Sequence, residues 1–565
     1  MLAGMERPTS NFERVEIRWA VVVLLVTVGA TLLTLTGRGL AFSGGEIYGH
    51  LWTWWWHGEA LPDWPDGTAL ASGTSQWPVI DPLLCALGGG LARLTSLTFS
   101  WNFFALAGVA GAAAGGAWLA DRAGGNPWVG GAVLASAPIF WGSLLSGLSE
   151  DLALGLLALV CGLAWLPSGA NDWRRWLGLG LCLGALAWCG LYLFWMGALL
   201  ALLGALMEGR ALRHTAHRWA VAAGVALVMA TPIAWEQGER LSGEGHSFGE
   251  VQTRQEEPSW KVNPWHAMDV ASLVVPGRAD VPEQAIFRLH PAYLGLIALA
   301  LASRGRGRRW WLLLGGASLA ACGPVFRVCG LDLGVTNPVV YVLNVLPGGS
   351  LIHHHGRLLM AGVLGLTVLA ARGWSGWVER YPAMQKWRRG VGALIACEVL
   401  LLGPLSFDAY TTSMTPRDFG VEAVEGGSDG WLLTVPVAGP GVHPQRPLYD
   451  QTAHGHAVLV DPNRPGAPAA LHKSATGRWL VQVSRSASAA PLDGFDWCAI
   501  AREDVRILVV TEAFLSSVSP VLGTPDFTGS DGAGWHVEAR CEAGAASNRR
   551  SPGVGSGEMI VPERG

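Results

Sequence analysis

Residues 42–81 read Phe42-Ser-Gly-Gly-Glu46-Ile-Tyr48-Gly-His50-Leu-Trp52-Thr-Trp54-Trp55-Trp56-His57-Gly-Glu59, then a Pro-, Asp- and Gly-rich run ending Trp77-Pro78-Val-Ile-Asp81. The stretch directly follows a first apolar segment, Trp19–Thr36. Indoles prefer the headgroup level of a bilayer, where the ring is half wet and its N–H finds a partner. A carboxylate among them sits where polarity falls steeply, so its proton affinity rises toward neutral. Such a loop suits general-base chemistry on a lipid-borne substrate.

The surrounding composition agrees with a membrane setting. The chain has 565 residues, 50% hydrophobic and 15% charged, with mean hydropathy +0.32. Soluble proteins carry about 25% charged residues, so the expected class is a polytopic helical membrane protein. The net charge of −4 names no partner, because its sign alternates from loop to loop, and nothing points to nucleic acid. Lysine occurs only at 261, 386 and 473, which reflects codon bias more than binding and fits a bacterial source. Cys161, Cys182, Cys189 and Cys397 lie in apolar spans and read as small core residues. Cys498 and Cys541 are candidates for one bridge if the C-terminal third faces an oxidising compartment. Arg7, Arg14 and Arg18 precede an apolar run of spanning length, which reads as a retained signal anchor.

Eleven spans are expected, at Trp19–Thr36, Trp101–Ala120, Trp128–Leu145, Leu152–Leu166, Trp176–Cys189, Leu191–Leu206, Trp219–Trp235, Phe287–Ala302, Trp310–Val325, Leu358–Ala371 and Val391–Leu405. The fifth and sixth divide at Gly190. With a cytoplasmic N-terminus, the inner loops collect Arg122, Arg174, Arg175, Arg210, Arg213, Arg218, Arg304, Arg306, Arg308, Arg309, Arg372, Arg380, Lys386, Arg388 and Arg389, while residues 236–283 are acidic. The positive-inside rule favours this orientation in every loop. Pro82–Leu97 and Val335–Leu346 read as interfacial or re-entrant helices on the outer side. The expected division is a membrane domain over 1–405, with outer loops 37–100 and 236–286, an extracytoplasmic α/β domain over 406–545, and a flexible tail over 546–565. Strands are expected at Trp431–Val437, Ala457–Val460, Trp479–Val483, Arg506–Thr511 and Trp535–Ala539, with helix around Ala499–Asp504 or Glu512–Ser517.

Three polar clusters project to the outer face. Glu46 and His50, four apart, share one side of a helical turn; they form either a catalytic pair or the solvated face of an interfacial helix. Ser149-Glu150-Asp151 opens the fourth span, where acids either cap the helix or act at the membrane edge. His353-His354-His355-Gly356-Arg357 opens the tenth. Arg357 is an always-charged fork suited to phosphate, and helix N-terminal amides would add to it. The histidines are open to hydrogen bonding, to phosphate or metal binding, or to a plain boundary role, although sequence neighbours cannot all point one way. Recurrent glycines such as Gly111 and Gly115 read as close helix packing.

No P-loop, H-E-x-x-H or G-x-S-x-G motif competes. A site facing outward cannot count on nucleotide donors, so a lipid-linked donor fits better. At pattern level, the chain resembles the GT-C superfamily of membrane glycosyltransferases, and more narrowly uncharacterised bacterial GT-C-like membrane proteins. The resemblance lies in Gly45-Glu46-x-x-x-His50-Leu51-Trp52-x-x-Trp55-Trp56-x-x-Glu59-Ala60-Leu61 with its Pro-Asp66-Gly67 turn. It continues in Leu346-Pro347 through Arg357-Leu358, and in Tyr449-Asp-Gln451-Thr452-Ala-His454-Gly455.

The resemblance implies catalytic roles for Glu46, where the family usually has Asp, and for Glu150 or Asp151. It implies substrate contacts at His50, His353, His354, Arg357 and His454, with His353 standing where another arginine is expected. The implied reaction moves a sugar from a polyprenyl-phosphate donor to a glycan, lipid or protein acceptor at the periplasmic face of the inner membrane. A divalent cation is one option for a cofactor. A lipid-linked glycan flippase and a non-catalytic scaffold are the competing readings, although no internal repeat is seen and Glu398 in the eleventh span is an isolated charge.

Overall fold

The structure, a computed structural model, describes residues 9–42, 46–60, 81–166, 173–209, 212–243, 268–276, 292–329, 331–346, 349, 354–402, 410–420, 430–437, 446–454, 457–459, 469–485, 492 and 495–550. Two units divide the chain, one ending at Thr415 and the other beginning at Pro416.

In the first unit, helix α1 (Thr9–Leu35) shows Leu24, Leu25 and Leu32 on its outside. The short strand β1 (Arg38–Leu40) follows it. Helix α2 (Ile47–Trp55) carries the tryptophan-rich loop and is buried from Ile47 to Trp54. α3 (Pro82–Leu94) and α4 (Leu97–Arg122) come next, α4 being capped by Ser96 Oγ on Phe99 N at 3.1 Å. Asn102, buried in α4, accepts from Leu40 N at 3.0 Å and donates to Arg38 O at 2.9 Å. Trp101 Nε1 donates to Leu40 O at 3.0 Å. These bonds fix where the loop after the first span must run.

The span expected over Trp128–Leu145 is present as Pro127–Leu145, with an interruption between α5 (Pro127–Ala135) and α6 (Pro138–Leu145). Pro138 lacks the N–H that would continue the ladder, and it disfavours helical backbone at Ala137. A 3-10 turn (Ser149–Ala153) then leads into α7 (Leu154–Trp165). α8 (Trp173–Cys189) and α9 (Leu191–Glu208) part at Gly190, as the sequence suggests. α10 (Leu212–Gly243) runs through Pro232.

α11 (Leu296–Ala302) and α12 (Arg308–Ala321) follow. The span expected to reach Val325 stops at Ala321, and β2 (Val325–Val328) pairs antiparallel with β3 (Leu331–Thr336). β-Branched Val325, Val328 and Val335 favour this pleat. Val335, read as the start of an interfacial helix, therefore lies in strand, and α13 (Pro338–Val345) begins only after its Asn337 cap. A 3-10 turn (His355–Leu358) opens α14 (Leu359–Arg380), which is buried along most of its length. α15 (Arg388–Leu402) leads toward β4 (Thr411–Ser413), which pairs antiparallel with β1. Among the described residues, five helices are long and apolar enough to cross a membrane: Leu97–Arg122, Pro127–Leu145, Leu191–Glu208, Arg213–Trp235 and His355–Arg380.

The second unit holds a four-stranded mixed sheet. β5 (Trp431–Val435) runs parallel to β6 (Val505–Thr511), which pairs antiparallel with β8 (Gly532–His536), and β7 (Phe527–Gly529) flanks β8. α16 (Arg446–His454), α17 (Ala475–Arg485), α18 (Trp497–Ala501), α19 (Glu512–Leu522) and α20 (Val537–Arg550) complete it. The strand expected at Trp479–Val483 is helix: Trp479, Leu480 and Val483 recur at three to four residues and join the core with Leu508 and Trp535. Of Ala457–Val460, the described residues 457–459 form a bridge from Val458 to Leu432. The strand expected to end at Ala539 stops at His536, and the helix that follows runs to Arg550.

Cys498 and Cys541 form a disulfide between α18 and α20, with Cα atoms 4.7 Å apart. Closing a loop of this length is worth about 4 kcal/mol in the chain-entropy view. The paired substitution Cys498→Ser/Cys541→Ser should therefore raise hydrogen exchange across 497–550 of the full chain, while leaving α14 protected.

Candidate active site

The ends of several elements in the first unit converge. The backbone of the first loop is stitched to the chain after α6: Phe42 N donates to Leu145 O at 2.8 Å and Glu46 N to Ser146 O at 2.6 Å. Gly147 makes this approach possible. Its φ is +85°, and a Cβ there would collide with the backbone of Ile47. The result sets the turn carrying Ser149, Glu150 and Asp151 beside His50 of α2.

Asp81, at the N-terminus of α3, reaches the same place from a left-handed backbone position (φ +39°). Ser149 Oγ hydrogen-bonds to the Asp81 carboxylate and to His50 Nδ1, the latter at 2.7 Å. His50 Nδ1 stands 3.8 Å from Asp81 Oδ1, and Cys85 Sγ donates to that oxygen at 3.4 Å. All four side chains are buried. Burial alone would lower the proton affinity of His50. The Asp81 carboxylate outweighs it, with help from the charges of Glu150 and Glu46, and raises the imidazole to about 9.

Arg357 completes the group from the turn before α14. It is 4% exposed, pairs through Nη1 with Glu150 Oε1, and places Nε 3.9 Å from Asp151 Oδ2. Its guanidinium lies 4.8 Å from the ring centroid of Tyr192, and the Tyr192 hydroxyl accepts from His354 N at 3.3 Å. Gly190 leaves room for this, since a Cβ there would lie 2.8 Å from that of Glu150. Asp151 is fully buried, with Ser143 and Arg357 as the polar groups that favour its charged form. Burial pushes its carboxyl up to about 6, against the pull of Arg357 and with the repulsion of Glu150.

An apolar cavity of about 360 Å³ begins one residue and one turn away. Leu358 lines it, as do Met196 and Leu200 of α9, Leu313 of α12 and Leu343 of α13. Arg309 also lines it and donates to Trp165 O at 2.7 Å.

Of the residues singled out from sequence, His50, Glu150, Asp151 and Arg357 come together. Glu46 sits exposed at the N-terminus of α2, near enough to His50 to act on its charge. His354 is half-buried beside Tyr192, their ring centroids 5.9 Å apart. His353 and the side chain of His454 lie outside the described residues. Sequence reasoning passed over Asp81 and Tyr192. Asp81 closes the quoted stretch and precedes Pro82, a helix-start signal that hid its chemistry.

Glu398, the isolated charge of the last span, is tied down: Oε1 accepts from Tyr293 Oη at 2.7 Å and Leu296 N at 2.6 Å, and Oε2 from Ile297 N at 3.1 Å. It serves the start of α11.

The class defined by fold and site is a many-helix membrane protein with a buried arginine–carboxylate group at the end of an apolar cavity. No protein-family model and no curated protein matches the chain. Among solved structures, it is similar to ArnT from Cupriavidus metallidurans bound to undecaprenyl phosphate, at 12% identity and TM-score 0.49 over 91% of this chain and 97% of that one. The apo form of that protein gives 15% identity and TM-score 0.40 over 93% and 99%. Arabinofuranosyltransferase AftD from Mycobacteria gives 14% and 0.49, over 87% of this chain and 35% of AftD. With TM-scores below 0.5, these likenesses carry no functional argument.

Two outcomes follow from the electrostatics. Arg357→Gln leaves buried carboxylates unpaired and should destabilise the chain by about 3–5 kcal/mol, with part recovered on adding Glu150→Gln, read by thermal unfolding in detergent. Because the folded state raises the His50 proton affinity above 6.5, its contribution is complete below that pH and is lost as pH rises through about 9. A stability profile from pH 6 to 10 should lose that component in His50→Gln.

Proposed function

We propose that this chain is a membrane glycosyltransferase, moving a sugar from a polyprenyl-phosphate carrier to a glycan, lipid or protein acceptor on the extracytoplasmic face of a bacterial inner membrane. One observation carries the reading: a buried arginine held by two carboxylates adjoins an apolar cavity through Leu358. A guanidinium recognises phosphate oxygens in pairs, and the cavity offers the isoprenoid a place next to it.

In the proposed reaction the acceptor hydroxyl oxygen attacks the anomeric carbon as the bond from that carbon to the phosphate oxygen breaks. Phosphate at Arg357 competes with Glu150 and Asp151 for the guanidinium, and so frees a carboxylate. Asp151, poised near neutral, takes the hydroxyl proton. Arg357 stabilises the charge that grows on the departing phosphate. Glu46, exposed at the start of α2, serves the acceptor side. His50 and His354 hold the substrates by hydrogen bonds. His353 and His454 keep the substrate contacts that the family resemblance implies. Residues 1–405 act as the transferase body, 406–545 as an extracytoplasmic α/β domain that meets the acceptor, and 546–565 as a tail. The flippase reading loses ground, since Glu398 has a structural task.

Asp151→Asn should cut glycan product in membranes by about 10²–10⁴-fold, and Arg357→Gln should weaken undecaprenyl phosphate binding at least tenfold by native mass spectrometry. Unchanged values in both variants would overturn the proposal. Full activity in Glu46→Gln would remove Glu46 alone from its role.

A further inference from the structure

We infer that the cavity beside the turn from α14 to α15 is a binding site for the phosphodiester head group of an anionic phospholipid. The cavity measures about 610 Å³ and has Gln385, Lys386, Arg388 and Arg389 among its walls. The turn itself is a 3-10 stretch (Pro382–Trp387) in which no residue is buried. Arg357 stands just before α14 and the cavity lies just after it. The 22 residues of α14 rise about 33 Å, close to the thickness of a bilayer's hydrocarbon layer. A chain that holds the arginine–carboxylate group at one face of the membrane therefore holds this cavity at the other.

Several cations near this end already have work. Arg309 donates to Trp165 O at 2.7 Å, and Arg175 to Leu163 O at 2.5 Å. Arg372 donates to Ala123 O at 2.6 Å and to Arg306 O at 2.8 Å. These guanidinium groups tie helix ends together. Lys386 and Arg388 differ. Among the described residues, neither side chain has an ion pair, a hydrogen bond or a ring contact, and Arg389 has only the Trp128 ring, 5.3 Å from its centroid. No described carboxylate lines the cavity. Three like charges around one hollow repel one another, and an anion seated among them relieves the repulsion.

The flanking residues select a lipid over a free anion. Tyr381, Trp387 and Trp128 are each more than half exposed, and such rings at a helix end sit at the headgroup level. Along α15, Leu394 and Leu401 are exposed seven residues apart, on one face. They offer acyl chains a surface leading away from the charges.

This inference is independent of the transferase reading. The full chain, purified in detergent, is titrated with phosphatidylglycerol and in parallel with zwitterionic phosphatidylcholine, and bound lipid is counted by native mass spectrometry. The expected result is one phosphatidylglycerol per chain, held at least tenfold more tightly than phosphatidylcholine. A cation beside an anionic head group is worth about fivefold in binding, so Lys386→Gln/Arg388→Gln should lose about 25-fold. Arg213→Gln/Arg218→Gln, which removes the same charge from the first turns of α10, should change binding less than threefold. Lys386→Arg/Arg388→Lys, which keeps both charges, should bind as the native chain does. The inference is overturned if the two lipids bind alike, or if both glutamine pairs weaken binding equally. It is also overturned if glycerol 1-phosphate displaces the lipid at equal concentration, since the occupant would then be a soluble anion.

Discussion

The constraint on which the first unit depends is the burial of Arg357. A guanidinium this far from water has to be met by opposite charge and by polarizable surface, or the fold gives way. Glu150 and Asp151 supply the charge and the Tyr192 ring supplies a face. The two acids share the turn before α7 and the ring stands at the start of α9, so satisfying one side chain fixes the relative heights of α7, α9 and α14. The glycines at 147 and 190 are part of that settlement, because a methyl group at either would push the acidic turn out of reach.

The same constraint links packing to chemistry. Under the proposed function, a cation that is already paired has an alternative to phosphate, and the energy of that alternative would set how selectively it binds. His50, Ser149 and Asp81 form a second polar layer beside the first, joined to it by the adjacency of Ser149 and Glu150.

Much of this architecture is written plainly in the residues. Apolar runs locate the helices, Gly190 divides α8 from α9, and the acidic turn and Arg357 stand out at span ends. What failed were choices between periodicities in short segments. Val335 and its neighbours were apolar enough for an interfacial helix, yet pair across a hairpin. Trp479–Val483 looked extended, yet packs one helical face onto the sheet. Partnership was the less legible part. The side of the membrane on which Glu150 and Arg357 should lie can be argued from loop charges, but not that residues 207 apart share a hydrogen bond. Asp81 was invisible for a different reason: an acid before proline has a sufficient local explanation as a helix start.

The pairing of β1 with β4 bears on how such a chain is made. Arg38 and Thr411 stand 373 residues apart, joined by a 3.1 Å hydrogen bond beside the strand ladder. A ribosome delivers the acidic turn long before it delivers Arg357, and the closing strand last of all. The nascent chain must therefore carry Glu150 and Asp151 into place without their counter-ion, kept wet or protonated until the late helices arrive. Truncation anywhere before Thr411 would leave β1 without its partner strand, and a cell's quality control would meet an unfinished sheet edge.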